Sequence, residues 1–232
     1  MKTILITGGS SGIGKATALM FAKNGANIAF TYKSNKAGAD EVTKEIENLG
    51  QKALAVQADL ISEKEAKNVV SQTIKTFGKI DVLVNNAGRY IDGDEWNGSA
   101  DIWVKSLQQN LVSVMNISKY VIEVFQKQKS GIMINIASRY STDGQFESLS
   151  YGASKAGVVN ITQAYAKLLA PFGRANAISP SAVRAGYWLR APKEEVEAQG
   201  KLVEPEKVAE KVLFLASDEA KDINGQNFQI TA

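Results

Sequence analysis

Short, β-rich apolar runs separated by longer stretches with helical spacing are the feature that most restricts how this 232-residue chain can fold. The runs lie at Thr3 to Thr7, Asn27 to Tyr32, Ala53 to Gln57, Asp81 to Asn85, Gly131 to Ala137, Arg174 to Ile178 and Gln226 to Ile230. Strands this uniformly apolar need cover on both faces, which is the condition of a parallel sheet. Their alternation with helical stretches implies consecutive, right-handed βαβ units. Gly12 to Asn24, Ser62 to Phe77 and Tyr151 to Ala170 read as helices, with Gly25 and Gly78 as stops for the first two. The expected fold is α/β: one domain over residues 1–232, doubly wound around a parallel sheet of about seven strands. No repeat or Pro/Gly-rich linker divides the chain, and Ala182 to Gly200, which has no clear period, is the expected mobile loop.

Composition removes whole classes of chemistry. The chain has no histidine and no cysteine, which excludes disulfides, thiolate nucleophiles, His-based triads and Cys/His metal sites, and no metal is expected. Proton transfer must then fall to a carboxylate, a lysine or a tyrosine whose pKa is tuned. The net charge of +3 comes from 27 basic and 24 acidic residues scattered along the chain, so nucleic acid is not an expected partner. No apolar run approaches the roughly 18 residues that span a bilayer, and the start has no secretory pattern. A cytoplasmic protein with no membrane partner is expected.

Thr7-Gly8-Gly9-Ser10-Ser11-Gly12-Ile13-Gly14 follows the first run directly and opens the first helix. Glycine lets the backbone turn tightly and approach a pyrophosphate, whose charge then sits at a helix N-terminus. In this strand-to-helix context the segment reads as a dinucleotide-binding turn of a Rossmann domain. Gly9 to Lys15 also satisfies most of a nucleotide-triphosphate P-loop, but the magnesium-ligating Ser or Thr is replaced by Ala16. That replacement argues against a kinase or NTPase and makes Lys15 an exposed first-turn residue. At the end of the second run stands Tyr32-Lys33-Ser34, where NAD-binding chains carry a carboxylate. A 2′-phosphate meets a cation there, so NADP(H) is expected over NAD(H).

Tyr151 and Lys155 are four residues apart at a helix start, which puts both on one face. A neighbouring ammonium favours the phenolate and is expected to lower the tyrosine pKa from its usual value of about 10. Asn85-Asn86-Ala87-Gly88 closes the fourth run, Asn110 lies in the next long helix, and Ser138 follows the fifth run thirteen residues before Tyr151. Ligands of open parallel sheets collect at the carboxyl ends of strands, so all of these converge on one edge.

From Lys2 to about Gln226 the residues resemble the short-chain dehydrogenase/reductase family, nearest its 3-oxoacyl-carrier-protein reductase type. The resemblance rests on Thr7 to Gly14, on Asn85 to Gly88 and on Tyr151-x-x-x-Lys155. It implies an oxidoreductase moving a hydride between a nicotinamide and a carbonyl or alcohol, with Asn110, Ser138, Tyr151 and Lys155 as the catalytic set. Ser138 would bind the substrate oxygen, Tyr151 would exchange the proton, and Asn110 would hold a water that relays through Lys155. The cofactor would be lined by Gly8, Ser10, Ser11, Gly12, Ile13, Gly14, Tyr32, Lys33, Ser34, Asp59, Leu60, Asn86, Ala87, Gly88, Tyr151, Lys155, Pro180 and Val183, with Asp59 at the adenine. A substrate loop around residues 182–204 and a homodimer or homotetramer are implied as well.

Several positions depart from the family pattern. Ser181 replaces a common Gly, and Ala185 stands where a Thr usually contacts the nicotinamide carboxamide. One residue is missing between Gly173 and Arg174, the substrate loop is short, and the chain ends Ile230-Thr231-Ala232 instead of the customary tail. These changes leave open a second function, a dinucleotide-binding sensor with little turnover. Tyr187 and Trp188 admit two roles, lining an apolar substrate pocket or packing the loop down.

Overall fold

The computed structural model describes residues 1–232 as one Rossmann-like α/β domain. Its strands are β1 (Thr3–Ile6), β2 (Asn27–Tyr32), β3 (Ala53–Gln57), β4 (Val82–Asn85), β5 (Gly131–Ile136), β6 (Gly173–Pro180) and β7 (Asn227–Ile230). All neighbouring pairs are parallel, in the order β3-β2-β1-β4-β5-β6-β7. The direction of winding reverses between β1 and β4, and a crevice opens at their carboxyl ends.

Alternate side chains of each strand feed two apolar layers, as the period of two requires. Ile4, Ile6, Ile28, Phe30, Val82, Val84, Ile134 and Ile136 face one layer. That layer is covered by α1 (Gly12–Lys23), α2 (Lys36–Asn48) and α8 (Pro205–Leu215). Leu5, Ala29, Leu83 and Met133 face the other, covered by α3 (Glu63–Phe77), α5 (Ser113–Gln128) and α6 (Leu149–Leu169). Both faces are covered by helices, which explains the predominance of apolar residues in the strands.

A buried polar ladder crosses the middle of the sheet. Asn85 and Asn135 are register partners on β4 and β5. Asn85 Nδ2 donates to Asn135 Oδ1 at 2.8 Å and to Ser118 Oγ at 3.0 Å, and Asn135 Nδ2 donates to Thr162 Oγ1 at 2.8 Å. The ladder ties α5 through two strands to α6, so these two helices cannot slide independently across the sheet.

Two elements differ from the sequence expectation. The helix after β4 is interrupted: α4 (Ala100–Leu107) runs into a π-helical turn at Gln108–Val112 before α5. Residues 182–200, read as a loop without a clear period, contain a 3₁₀ turn at Gly186–Leu189 and α7 (Lys193–Gln199), and Val183 bridges Val203 in parallel. Seven residues are too few for a sequence period to declare itself. No helix is long and apolar enough to cross a membrane.

Candidate active site

The glycine turn is held open by its neighbours. Gly8 adopts φ +69° and Gly12 φ +55°, a region that side chains rarely enter. A Cβ on Gly14 would overlap the Gly8 carbonyl and lie 2.6 Å from Asn86 Nδ2. Ser11 is the N-cap of α1 yet makes no side-chain cap, and the first turn carries no acidic residue. The first N–H groups of α1 and its dipole are thus directed at the crevice without internal competition, which suits a pyrophosphate. Lys15 turns away to pair with Glu41 at 2.7 Å and Glu45 at 2.8 Å, away from any phosphate role.

The Asn-Asn-Ala-Gly segment locks this turn to the sheet. Thr7 Oγ1 accepts from the backbone N–H groups of Asn86 and Ala87, each at 2.9 Å. Asn86 Nδ2 donates back to the carbonyls of Thr7 at 2.9 Å and Gly8 at 3.0 Å. Asn86 therefore positions the glycine turn with its amide, and Gly88 approaches Asn110 and Lys155: a Cβ there would lie 2.6 Å from Asn110 Oδ1 and 3.4 Å from Lys155 Nζ.

At the end expected to take the adenine, Tyr32 ends β2, Lys33 and Ser34 follow it, and Lys33 pairs with Asp59 at 2.5 Å. Burial alone would raise the Asp59 pKa, but Lys33 and the Ile61 N–H outweigh it and hold the carboxyl below its usual range. The cation expected to meet a 2′-phosphate is thus already neutralised in part. Leu60 is buried behind this pair, and its carbonyl accepts from Asn116 Nδ2 at 3.0 Å. At the opposite end of the crevice, Pro180 ends β6 and Val183 starts the loop. Ala185 lies over the turn, so that a Cβ on Gly12 would meet its methyl at 2.9 Å.

The residues expected to handle the proton lie between these two ends. Tyr151 is the third residue of α6, and its ring is flanked edge-on by Tyr90 and Tyr140, both with centroids at 6.4 Å. Burial pushes its hydroxyl up to about 12, against the opposing hydrogen bond from Ser138. The expected lowering by Lys155 is corrected here. Lys155, itself buried, donates to the Ile136 carbonyl at 2.8 Å and stands 5.7 Å from the Tyr151 ring centroid. Burial of the ammonium lowers its pKa to about 8. Desolvation is the largest influence on both groups, Lys155 being buried and Tyr151 partly so.

Asn110 sits in the π-helical turn, completely buried. Its Oδ1 accepts from Arg89 N at 2.8 Å, and its Nδ2 donates to Arg89 O at 2.9 Å and Ser106 O at 3.1 Å. All three hydrogen bonds of the amide go to main-chain partners and fasten the segment after Gly88 to the wide turn. π-turns inside helices are frequent at functional sites.

Sequence reasoning missed Asp94 and two aromatics. Asp94, in the loop after β4, accepts from the backbone N–H groups of Ser150 and Tyr151. Tyr90 and Tyr140 enclose Tyr151, and Tyr187 stacks edge-on against Tyr90 at 5.8 Å with Trp188 at 5.4 Å from Tyr187. Tyr187 also donates to Glu195 Oε2 at 2.5 Å. This tyrosine anchors the loop and at the same time extends the aromatic wall that begins at Tyr151.

A doubly wound sheet with a glycine turn at its switch point, beside it a buried lysine and a half-buried tyrosine one helical turn apart, fits a dinucleotide-dependent oxidoreductase. The comparisons agree. The family model described as short chain dehydrogenase matches residues 2–195. The chain is 35% identical over 232 residues to the 3-oxoacyl-[acyl-carrier-protein] reductase FabG of Thermotoga maritima, covering 97% of this chain and 94% of that one. It is 36% identical over 235 residues to the 3-oxoacyl-[acyl-carrier-protein] reductase of a Synechocystis strain, with the same coverages of 97% and 94%. Among solved structures it is similar to levodione reductase, with TM-score 0.91, 28% identity, and 99% and 95% of the two chains covered. The chain belongs to the short-chain dehydrogenase/reductase family, resembling its 3-oxoacyl-carrier-protein reductase type. It is an oxidoreductase acting on a CH–OH/C=O pair with a nicotinamide cofactor.

Proposed function

We propose that the protein is an NADPH-dependent carbonyl reductase in which Ser138, Tyr151, Lys155 and Asn110 form the catalytic set. The observation that carries the reading is the meeting of Ser138, Tyr151 and Lys155 at the carboxyl edge of β4 and β5, next to a turn shaped for a pyrophosphate. A bound nicotinamide supplies the hydride. Ser138 and Tyr151 hold the substrate oxygen, and Tyr151 gives it a proton. A tyrosine held near 12 stays protonated at neutral pH, which suits the reducing direction. Lys155 uses one of its three donors on Ile136, leaving two for ribose hydroxyls and a relay water. Asn110 fixes the turn that keeps Gly88 against Lys155.

The remaining expected cofactor contacts belong to the same proposal. Gly8, Ser10, Ser11, Gly12, Ile13 and Gly14 cradle the phosphates. Asp59 and Leu60 border the adenine, and Asn86, Ala87, Gly88, Pro180 and Val183 line the nicotinamide half. NADPH preference rests on Lys33 between Tyr32 and Ser34, a segment with no carboxylate of its own, although Asp59 pairs with Lys33 from the end of the next strand. The relatives are named for 3-oxoacyl groups on acyl-carrier protein, and a 3-oxoacyl thioester is the substrate class proposed, admitted under residues 182–204. A homodimer or homotetramer is part of the proposal, supported by exposed Val104, Val112 and Met115 along α4, the π-turn and α5.

The test is side-by-side titration with NADPH and NADH, then NADPH oxidation with a 3-oxoacyl thioester. Tighter NADPH binding and turnover are the expected results. Equal or tighter NADH binding would remove the cofactor preference.

A further inference from the structure

Only two charged residues of this chain are buried, Lys155 and Asp94, and both lie against Tyr151. Lys155 belongs to the reading above; Asp94 has no part in it. Its exposure is 0%, and no lysine or arginine pairs with it. A buried carboxylate without a cation needs donors on both oxygens. Asp94 finds them on one helix. Oδ1 accepts from Ser150 N at 2.9 Å and Ser150 Oγ at 2.5 Å, and Oδ2 accepts from Tyr151 N at 2.7 Å. Its own carbonyl accepts from Leu149 N at 3.0 Å.

These are the first N–H groups of α6, and the residue in the N-cap position, Ser148, makes no side-chain cap. The cap comes instead from more than fifty residues earlier in the chain. A carboxylate at a helix N-terminus also meets the favourable end of the dipole. The loop carrying Asp94 is stitched to the segment before α6 at two further points: Trp96 N donates to Phe146 O at 2.8 Å, and Tyr90 Oη donates to Glu147 O at 3.2 Å. The same loop begins at Gly88. One carboxylate therefore fixes the distance between the Asn-Asn-Ala-Gly segment and the backbone of the tyrosine.

We propose that Asp94 is a positioning residue of the reaction, which sets where Tyr151 stands relative to Gly88 and Ser138. The inference rests on Tyr151 being the proton donor. Asp94 touches neither substrate nor cofactor and acts through the first turn of α6. Its asparagine variant keeps one accepting oxygen and loses the other, because an amide nitrogen cannot accept from an N–H group.

The test compares wild type, Asp94→Asn, Asp94→Ala and Tyr151→Phe as intact chains. Three quantities are read: NADPH affinity, kcat and KM with the 3-oxoacyl thioester or ketone that the wild type turns over fastest, and amide hydrogen exchange across residues 149–152. A misplacement on the scale of an ångström lowers turnover by about 10- to 100-fold. Asp94→Asn is expected to lose kcat in that range, with KM and NADPH affinity within about twofold, and to exchange the Ser150 and Tyr151 amides at least about tenfold faster. Asp94→Ala should lose more. If Asp94→Ala does not fold, Asp94→Asn decides. Lower thermal stability with kcat unchanged per NADPH-bound enzyme overturns the inference and leaves Asp94 a structural cap. Full turnover in Tyr151→Phe overturns the reading of the site and this inference with it. Loss in Tyr151→Phe beside full kcat in Asp94→Asn overturns this inference alone.

Discussion

Lys155 Nζ is anchored 2.8 Å from the carbonyl oxygen of Ile136, so the cation of the site is fastened to the end of β5 and meets Tyr151 only across its ring. Burial brings this ammonium down to about 8, whereas the Tyr151 hydroxyl is held up at about 12. As pH rises through 8 the free enzyme loses the Lys155 charge while Tyr151 stays protonated. The kcat/KM for NADPH, which reports groups of the free enzyme, should fall above pH 8 in a single step. Lys155→Arg, whose guanidinium does not deprotonate, should remove that step from the measurable range. Initial rates from pH 6 to 10 check both, and a flat wild-type profile contradicts the assignment.

Gly14 has no room for a methyl group, since its Cβ would overlap the Gly8 carbonyl. Gly14→Ala should weaken NADPH binding by about tenfold or more, equivalent to about 1.4 kcal/mol, as the turn shifts from its phosphate geometry. Gly144→Ala, where a Cβ meets nothing within 4 Å, serves as the control and should bind normally. Fluorescence titration of NADPH measures the two variants.

In the proposed reading the Lys33–Asp59 pair should set the cofactor ratio. Lys33→Ala should reduce NADPH affinity about tenfold while leaving NADH nearly unchanged, because only the 2′-phosphate needs the cation. Asp59→Asn releases Lys33 and should raise the NADPH/NADH affinity ratio, by a few-fold at most given the exposure of the pair. Calorimetric titration with both dinucleotides gives the ratios.

Asn135 joins Asn85 to Thr162 through the sheet. Asn135→Leu leaves buried polar partners on both sides, and the expected loss is about 2 to 4 kcal/mol of stability. Urea denaturation checks it: the midpoint falls while the slope stays the same.

Val104, Val112 and Met115 are 52%, 38% and 44% exposed on one continuous helical stretch. Sedimentation at micromolar concentration should give a dimer or tetramer, and Met115→Glu should shift it toward monomer. A wild-type monomer contradicts the proposed assembly.

The sheet was legible because each strand is a short apolar run with helical sequence on either side, and the runs at Asn27–Tyr32 and Ala53–Gln57 match the observed strands residue for residue. The Gly8 to Gly14 turn, Tyr151 and Lys155 were legible because close backbone approach and helical spacing are local properties. Asp94 was not, because its partners Ser150 and Tyr151 are brought to it only by the parallel order of β4 and β5. Nor was the sign of the Tyr151 shift: spacing places the ammonium nearby, but burial between Tyr90 and Tyr140 depends on tertiary packing. The π-turn at Gln108–Val112 carries no local signal that separates it from a continuous helix.

The most direct test of the central claim is NADPH oxidation by wild type and Tyr151→Phe in parallel, over 3-oxoacyl thioesters, ketones, aldehydes and quinones, after both are shown to bind NADPH. The account predicts turnover in the wild type and a loss of about 100-fold or more in the variant, the scale of general acid catalysis. Turnover that survives in Tyr151→Phe contradicts it, and wild type that binds NADPH but turns over no carbonyl points instead to a dinucleotide sensor built on the same fold.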